Sequence, residues 1–492
     1  MRSYPLRLVA VLLLGAVLLG LAARLRGPEY DEGYTAFVTG AAPRPDWPTQ
    51  PFRVGDMQAA FAPAPIPWAI AGNLRRTDVH PPLYFWIVWA WRRVFGSDLF
   101  VTRLLSVAFS LGALVAVAAL ARASALPAIP ALLITLGCFG FVETGIVARG
   151  FALAQSLTLW GLLLTLRSAA GSPENAFCAG LLLGAATFTN YLAGFPAAAA
   201  LLWLGLRAPR QAAWLVLGLA PFLLGDCSFF WAQRASRIGQ FAPFTWAGFL
   251  AAMGHASGGA ILGGLPLYLG GWWRTALSAG LGLLLALLLV LPLLRWRRMG
   301  RPGARALLAL AAGSAPLGLL LMGLASHSLP VEIRYLAFAL PPFALLLAGA
   351  IGSLQHPRLY LALLLLVQAA AIAGLVTRPE TMQPEQAAAR AASRAVGDRG
   401  LVLLPRGNDG VGIVAAFLTA APPGLHVLLV EPTSPPDRLR AEIAGWPCVT
   451  AAAIAADGAS RATMSLLDRL APAMGKGVDA RSARLLGCPF MP

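Results

Sequence analysis

The sequence predicts an all-α polytopic membrane protein with a small α/β domain at its C-terminal end. Three observations predict this. Of 492 residues, 58% are hydrophobic and 12% charged, against roughly 45–50% and 25% in soluble domains. An aqueous globule of that composition would lack the polar surface to cover itself. Apolar runs close to the ~20 residues that cross a bilayer recur along residues 1–376, and arginines sit between them in an alternating pattern.

The apolar runs fall at about 6–23, 100–121, 127–143, 150–167, 176–190, 192–206, 212–232, 275–294, 306–325, 335–353 and 359–376, about eleven transmembrane helices. The first could be a secretory signal, because Leu21-Ala22-Ala23 after a basic start resembles a cleavage site. It is read as a retained helix that tethers the acidic segment behind it. The runs around Thr189-Asn190-Tyr191 are short and nearly continuous, and are the least distinct pair. His80–Gly96 is not counted. At 1.5 Å per residue its apolar part spans only about 20 Å, Arg92-Arg93 ends it, and its Tyr, Phe and Trp residues suit the membrane–water boundary. It reads as an amphipathic helix on the outer surface.

With the N-terminus inside, the inner connections carry Arg122, Arg167, Arg207, Arg210, Arg295, Arg297, Arg298, Arg301, Arg305 and Arg358. The short outer ones hold chiefly Arg149 and Arg334, so the positive-inside rule is met. This places loop 27–98 and the tail outside the cytoplasm. Two domains follow: residues 1–376, membrane-embedded with 27–98 as a juxtamembrane helical loop, and residues 377–492. In the tail, short apolar strands (Leu401–Leu404, His426–Val430, Val449–Ile454) alternate with helical stretches (Gly412–Thr419, Pro436–Ala444, Arg461–Leu470), an α/β pattern.

Composition excludes several functions. The chain is too apolar for disorder. Its net charge of +17 contains a single lysine, Lys476, and the scattered arginines mark topology rather than nucleic-acid binding. Five cysteines without CxxC spacing give no zinc or redox motif. Cys448 and Cys488 could pair if the tail is extracytoplasmic. GNDGVG at 407–412 lacks the GxGxxG spacing of a nucleotide loop.

The candidate chemistry lies on the predicted outer face. Seven of the eleven acids in residues 1–376 fall within 27–98. Asp31 and Glu32 follow the first helix closely. Adjacent carboxylates repel and partial burial raises a carboxyl pKa, so one could accept a proton; the alternative is a solvated acidic loop. Glu143 and Arg149 flank one outer turn, and Glu332, Arg334 and Tyr335 precede the tenth span. Each alone could simply anchor the interface. Together with His80 they bring cations suited to phosphate oxygens to the same face as a carboxylate base. That combination suits moving a group off a lipid phosphate onto a hydroxyl. Asp226 lies inside the seventh span, either paired structurally or part of the cavity.

Four elements then resemble, in order, the GT-C superfamily of lipid-phosphate-sugar-dependent glycosyltransferases. They are Tyr30-Asp31-Glu32-Gly33-Tyr34, His80-Pro81-Pro82-Leu83-Tyr84, Ala148-Arg149-Gly150-Phe151-Ala152-Leu153, and Arg334-Tyr335-Leu336 leading to Pro341-Pro342. The chain is most similar to the branch of protein O-mannosyltransferases, lipid A aminoarabinose transferases and rhizobial lipopolysaccharide-core transferases, over about residues 5–376. The resemblance implies a GT-C fold and a sugar transfer from a polyprenyl-phosphate donor. The acceptor would be a hydroxyl of a lipid, polysaccharide or protein, reached on the periplasmic face of a bacterial inner membrane. It implies that Asp31 acts as or assists the base, with Glu32 beside it, and that Arg334 and Tyr335 contact the donor phosphate. His80 stands where aminoarabinose transferases carry a phosphate-contacting lysine, and Arg149 matches a second-loop arginine. Gly150-Phe151 replaces a bulkier residue followed by tyrosine. A polyprenyl phosphate leaves without protonation, so the expected reaction is inverting and needs no metal or other cofactor. The rival readings are a polysaccharide polymerase or ligase, and a transporter, which would place ionisable residues near the bilayer midplane.

Overall fold

The computed structural model describes residues 3–40, 47–59, 61–63, 66–234, 241–268, 271–378, 383–470 and 485–486. The chain forms two compact units. One comprises Met1–Arg24, Leu74–Ile87 and Thr102–Thr377; the other comprises Leu25–Asn73, Val88–Val101 and Arg378–Pro492.

The first unit is a helical membrane bundle. Among the described residues six helices are long and apolar enough to cross a bilayer: Tyr4–Leu25, Leu99–Ala123, Pro209–Gln233, Gly271–Leu294, Pro302–Ser326 and Pro357–Thr377. At 1.5 Å per residue, twenty residues cover about 30 Å, the hydrocarbon thickness. Their outward leucines are bare, Leu224 at 75% exposure and Leu366 at 69%. That surface is stable in lipid, where a helix satisfies its own backbone.

The run expected as one span over 127–143 is two helices, Ala128–Gly137 and Phe139–Ile146, bent by 69°. A polar side chain packs at the break. Buried Gln368 reaches from Pro357–Thr377 to the Ile261 carbonyl (3.0 Å) and Cys138 Sγ (3.7 Å). It lies so close to Gly137 that a Cβ there would come within 2.2 Å of its Oε1. The least distinct pair separates at Asn190, whose side chain accepts from the Leu192 amide and starts the 3-10 turn Tyr191–Ala193 ahead of Gly194–Arg207. Helices Pro173–Thr187 and Pro209–Gln233 pack at backbone distance through Gly180 and Gly218. A Cβ on either would fall within 2.2 Å of a facing carbonyl oxygen, the small-residue contact common between membrane helices.

The second unit is α/β. Its strands are β1 (Phe52–Arg53), β2 (Leu401–Pro405), β3 (His426–Val430), β4 (Val449–Ala451) and β5 (Leu485–Leu486), in the order β1-β3-β2-β4-β5. The central β3-β2-β4 pairs are parallel and both edges antiparallel. Helices Gly412–Ala420 and Pro436–Ala444 lie between successive parallel strands in the chain, as parallel pairing requires. Leu401, Leu403, Leu428, Val430, Val449 and Leu467 form its core. The tail does not build this unit alone. β1 comes from the acidic loop, with Phe52 opposite Val427. From the same loop Gln58 Nε2 donates to the Leu418 and Ala421 carbonyls at 2.7 and 3.1 Å. Arg92, expected to mark the end of a surface helix, is 4% exposed and donates to the Phe61 carbonyl at 2.6 Å. Cys448 is disulfide-bonded; Cys488, its expected partner, lies outside the described residues.

Candidate active site

In the membrane unit His80 and Arg149 converge on Asp78, just beyond the end of helix Trp68–Thr77. One oxygen, Oδ1, accepts from the Val79 amide at 2.5 Å and from His80 Nδ1 at 2.8 Å, and lies 3.4 Å from Arg149 Nη2. Arg149 Nη2 is itself 3.1 Å from His80 Nδ1. Asp78 is 4% exposed and Arg149 3%. The second oxygen, Oδ2, is buried without a hydrogen-bond partner among the described residues. Burial alone would push the Asp78 carboxyl up, but the Arg149 guanidinium and then His80 more than reverse it and hold it well below the usual carboxylate range. An ionised carboxylate only accepts, so the Nδ1 hydrogen belongs to His80. A ligand would meet the ring through Nε2.

The support is backbone. Gln233, at the end of Pro209–Gln233, donates to the Leu74 and His80 carbonyls at 2.9 and 3.0 Å. Arg149 sits in the turn before helix Phe151–Ser168, with its guanidinium 5.3 Å over the Phe85 ring. Gly150 lies close against Thr189, and an added Cβ would stand 3.1 Å from the Thr189 carbonyl oxygen. The departure noted at Gly150 therefore has a packing reason.

A second cation lies on the 3-10 turn Ile333–Leu336. Arg334 Nε is 2.6 Å from Glu332 Oε2, with both side chains partly exposed, and the guanidinium lies 5.7 Å over the Tyr335 ring. Helix Phe139–Ile146, which carries Glu143, packs against this turn. Gln155, from the helix that follows Arg149, donates to the Ala337 carbonyl at 2.5 Å. Glu143, Arg149, Arg334 and Tyr335 thus belong to adjoining segments of one unit. Asp78 and Gln233 were not singled out from sequence. The Asp-x-His spacing of Asp78-Val79-His80 is the signal that could have found Asp78, whereas nothing local marks Gln233.

In the α/β unit Asp31 and Glu32 open helix Tyr30–Thr39, and the structure separates their roles. Glu32 is 3% exposed, and its Oε2 accepts from the Glu29 amide at 2.8 Å. Glu29 in turn caps the helix, accepting from the Asp31 amide at 2.9 Å. This is a reciprocal capping box, so Glu32 holds the helix start while Asp31 stays partly exposed. Tyr34 donates to Asp409. The other Asp409 oxygen accepts from the Val411 and Gly412 amides at 3.0 and 3.2 Å. A carboxylate therefore already occupies the N-terminus of Gly412–Ala420, where a nucleotide phosphate would have to sit. Burial, and then the Asp409 charge, hold the nearby Tyr30 phenol far above its ordinary value. Among the described residues no three His, Cys, Asp or Glu side chains gather as a metal set.

No family model and no curated protein matches the sequence. The fold does match solved structures. ArnT from Cupriavidus metallidurans bound to undecaprenyl phosphate aligns at TM-score 0.52 and 13% identity, over 99% of this chain and 98% of that one. Its apo form aligns at 0.51 and 15%, over 99% and 97%. The apo oligosaccharyltransferase of Archaeoglobus fulgidus aligns at 0.41 and 11%, over 84% and 64%. Along nearly its whole length the chain has the fold of these ArnT structures.

Proposed function

We propose that this multi-pass membrane protein is a glycosyltransferase of the bacterial inner membrane, with its active site and α/β domain on the periplasmic side. It moves a sugar from a polyprenyl-phosphate donor to a hydroxyl of a lipid, polysaccharide or protein. The observation that carries this reading is the Asp78–His80–Arg149 cluster, with Asp78 and Arg149 buried and His80 partly exposed, in a chain of GT-C fold. One carboxylate holds a guanidinium and an imidazole 3.1 Å apart, side chains of a kind suited to phosphate oxygens. The undecaprenyl phosphate bound to ArnT supports the donor class. The alternating arginines and the bonded Cys448 support the orientation.

In the proposed reaction the acceptor oxygen attacks the anomeric carbon, and the bond from that carbon to the phosphate oxygen breaks. The electron pair leaves with the polyprenyl phosphate, whose growing charge is met by Arg149, His80 and Arg334. Tyr335 and Glu143 flank the donor. Preorganised cations serve a developing charge better than water does, because they need no reorientation. Asp31 takes the proton from the acceptor hydroxyl, and Glu32 fixes the helix that presents it. A single displacement inverts the anomeric centre, and neither a general acid nor a metal is required.

The test is transfer in proteoliposomes by Asp31→Asn. Turnover should fall about 10²–10⁴-fold, the range for a lost general base, with donor binding unchanged; retained turnover would remove Asp31 from the mechanism. Mass spectrometry of a deletion strain identifies sugar and acceptor. One missing envelope sugar supports transfer. Lost long chains point to a polymerase or ligase, and a substrate trapped in one leaflet points to transport.

A further inference from the structure

A cationic feature lies at the junction of helices Gly271–Leu294 and Pro302–Ser326 and plays no part in the proposed reaction. From Thr275 to Leu294 the chain runs 20 residues without a charge and then meets Arg295. That length matches the hydrocarbon core, so the residues after Leu294 stand at headgroup depth. There the chain makes the 3-10 turn Trp296–Arg298. Beside it is an open cavity of about 660 Å³ lined by Leu293, Leu294, Trp296, Arg297, Arg298 and Ala309. Its walls change character at the boundary, with apolar side chains at hydrocarbon level, a tryptophan, and two guanidinium groups beyond it.

Two of the neighbouring arginines, Arg305 and Arg207, are engaged in the fold. Arg305 donates to the Trp296 and Met299 carbonyls at 2.7 and 3.1 Å and lies 5.1 Å over the Trp296 ring, which fixes the turn. Arg207 covers the Trp203 ring at 5.1 Å. Arg297 and Arg298 differ. Both are exposed, and neither side chain has a hydrogen bond, ion pair or ring contact among the described residues. No Asp or Glu occurs between Asp226 and Glu332, so no carboxylate within that stretch can neutralise them. Topology alone asks only for positive charge on this side of the membrane. It does not ask for two unengaged arginines on a braced turn beside an apolar-floored cavity.

We infer that this cavity holds an anionic glycerophospholipid, its phosphate between Arg297 and Arg298 and an acyl chain along Leu293 and Leu294. A guanidinium pair suits phosphate oxygens, and the apolar floor selects an amphiphile over a soluble anion. Basic pockets between membrane helices bind lipid headgroups in this way.

Native mass spectrometry of the full chain with phosphatidylglycerol tests the site. The wild type should retain the lipid, and Arg297→Ala/Arg298→Ala should weaken retention ten-fold or more. Arg210→Ala/Arg301→Ala removes the same charge outside the cavity and should leave retention within two-fold. Equal weakening by both double variants overturns the site in favour of diffuse surface charge. Equal retention of phosphatidylcholine overturns the anionic assignment. Displacement by millimolar inorganic phosphate overturns the lipid assignment. Should the first variant fail to fold, a photoreactive phosphatidylglycerol on the wild type decides. Labelling of the peptide containing 293–298 supports the site, and labelling confined elsewhere refutes it.

Discussion

Asp78 in the membrane unit and Glu385 in the α/β unit are equally buried, each 4% exposed, and their carboxyls are shifted in opposite directions. Burial acts on both, but Asp78 touches His80 and Arg149 and is held below the carboxylate range. Glu385 has one oxygen without a hydrogen-bond partner among the described residues and is pushed up to about 7 by desolvation. The difference teaches that partners, not depth, decide whether a buried acid stays charged. Asp78 is the counter-ion of Arg149 and His80, whereas Glu385 behaves as a neutral core group over part of the physiological range.

The largest effect is expected at Asp78. Asp78→Ala leaves Arg149 and His80 side by side without their shared anion. Removing one partner of a buried pair typically costs about 3–5 kcal/mol, so the melting temperature should drop and transfer should be lost. Thermal unfolding in detergent checks the first, and an unchanged melting point would show that the cluster does not hold the site together.

Next comes pH. A depressed carboxyl gives stability that is present above its unfolded pKa and lost only as pH falls through the folded value, so Asp78 predicts no change between pH 5 and 9. A raised carboxyl does the reverse. The stability Glu385 contributes is complete below about 4.5 and disappears as pH rises through about 7. Glu385→Gln should therefore stabilise the α/β unit at pH 8 by up to about 3 kcal/mol, from 1.36 kcal/mol per pK unit, and leave it nearly unchanged at pH 4. Melting curves at the two pH values give the answer; an equal gain at both would mean that packing, not ionisation, is responsible.

The smallest effect belongs to the partly exposed pair. Arg334 is held by Glu332, whose side chain is 36% exposed, and such pairs are worth no more than about 1 kcal/mol. A donor phosphate should displace that carboxylate readily. Arg334→Ala should raise the donor KM about ten-fold, and Glu332→Gln should lower it two- to three-fold without altering kcat. Donor titrations of both variants separate them, and a KM unmoved by Arg334→Ala would take this arginine out of the donor site.

Much of this was legible in the sequence where the determinant is local. His426–Val430 is the strand its short apolar run predicts, bounded as expected, and helix Pro436–Ala444 begins and ends as read. What escaped is carried by partners distant in the chain. Gln368 packs at the break after Gly137, and buried Arg92 donates to the Phe61 carbonyl. β1 has only two residues, too few for a period, and exists because β3 offers it an edge. In the candidate site the HPP and Ala-Arg-Gly elements pointed to His80 and Arg149. The carboxylate between them looked like one more acid in an acidic loop. The role of Glu32 was within reach, since Glu29 and Glu32 have the three-residue spacing of a capping box.

The pairing of Phe52 with Val427 sets a schedule for biogenesis. The segment that emerges directly behind the first membrane helix cannot complete its sheet until some 375 further residues have been made. At roughly 5–20 residues per second that is a delay of about 20–75 s. Throughout that interval Phe52 and its neighbours wait without the strand that shelters them. A ribosome stalled before residue 426 would leave an inserted bundle bearing an unfinished, sticky edge, a natural target for quality-control proteases.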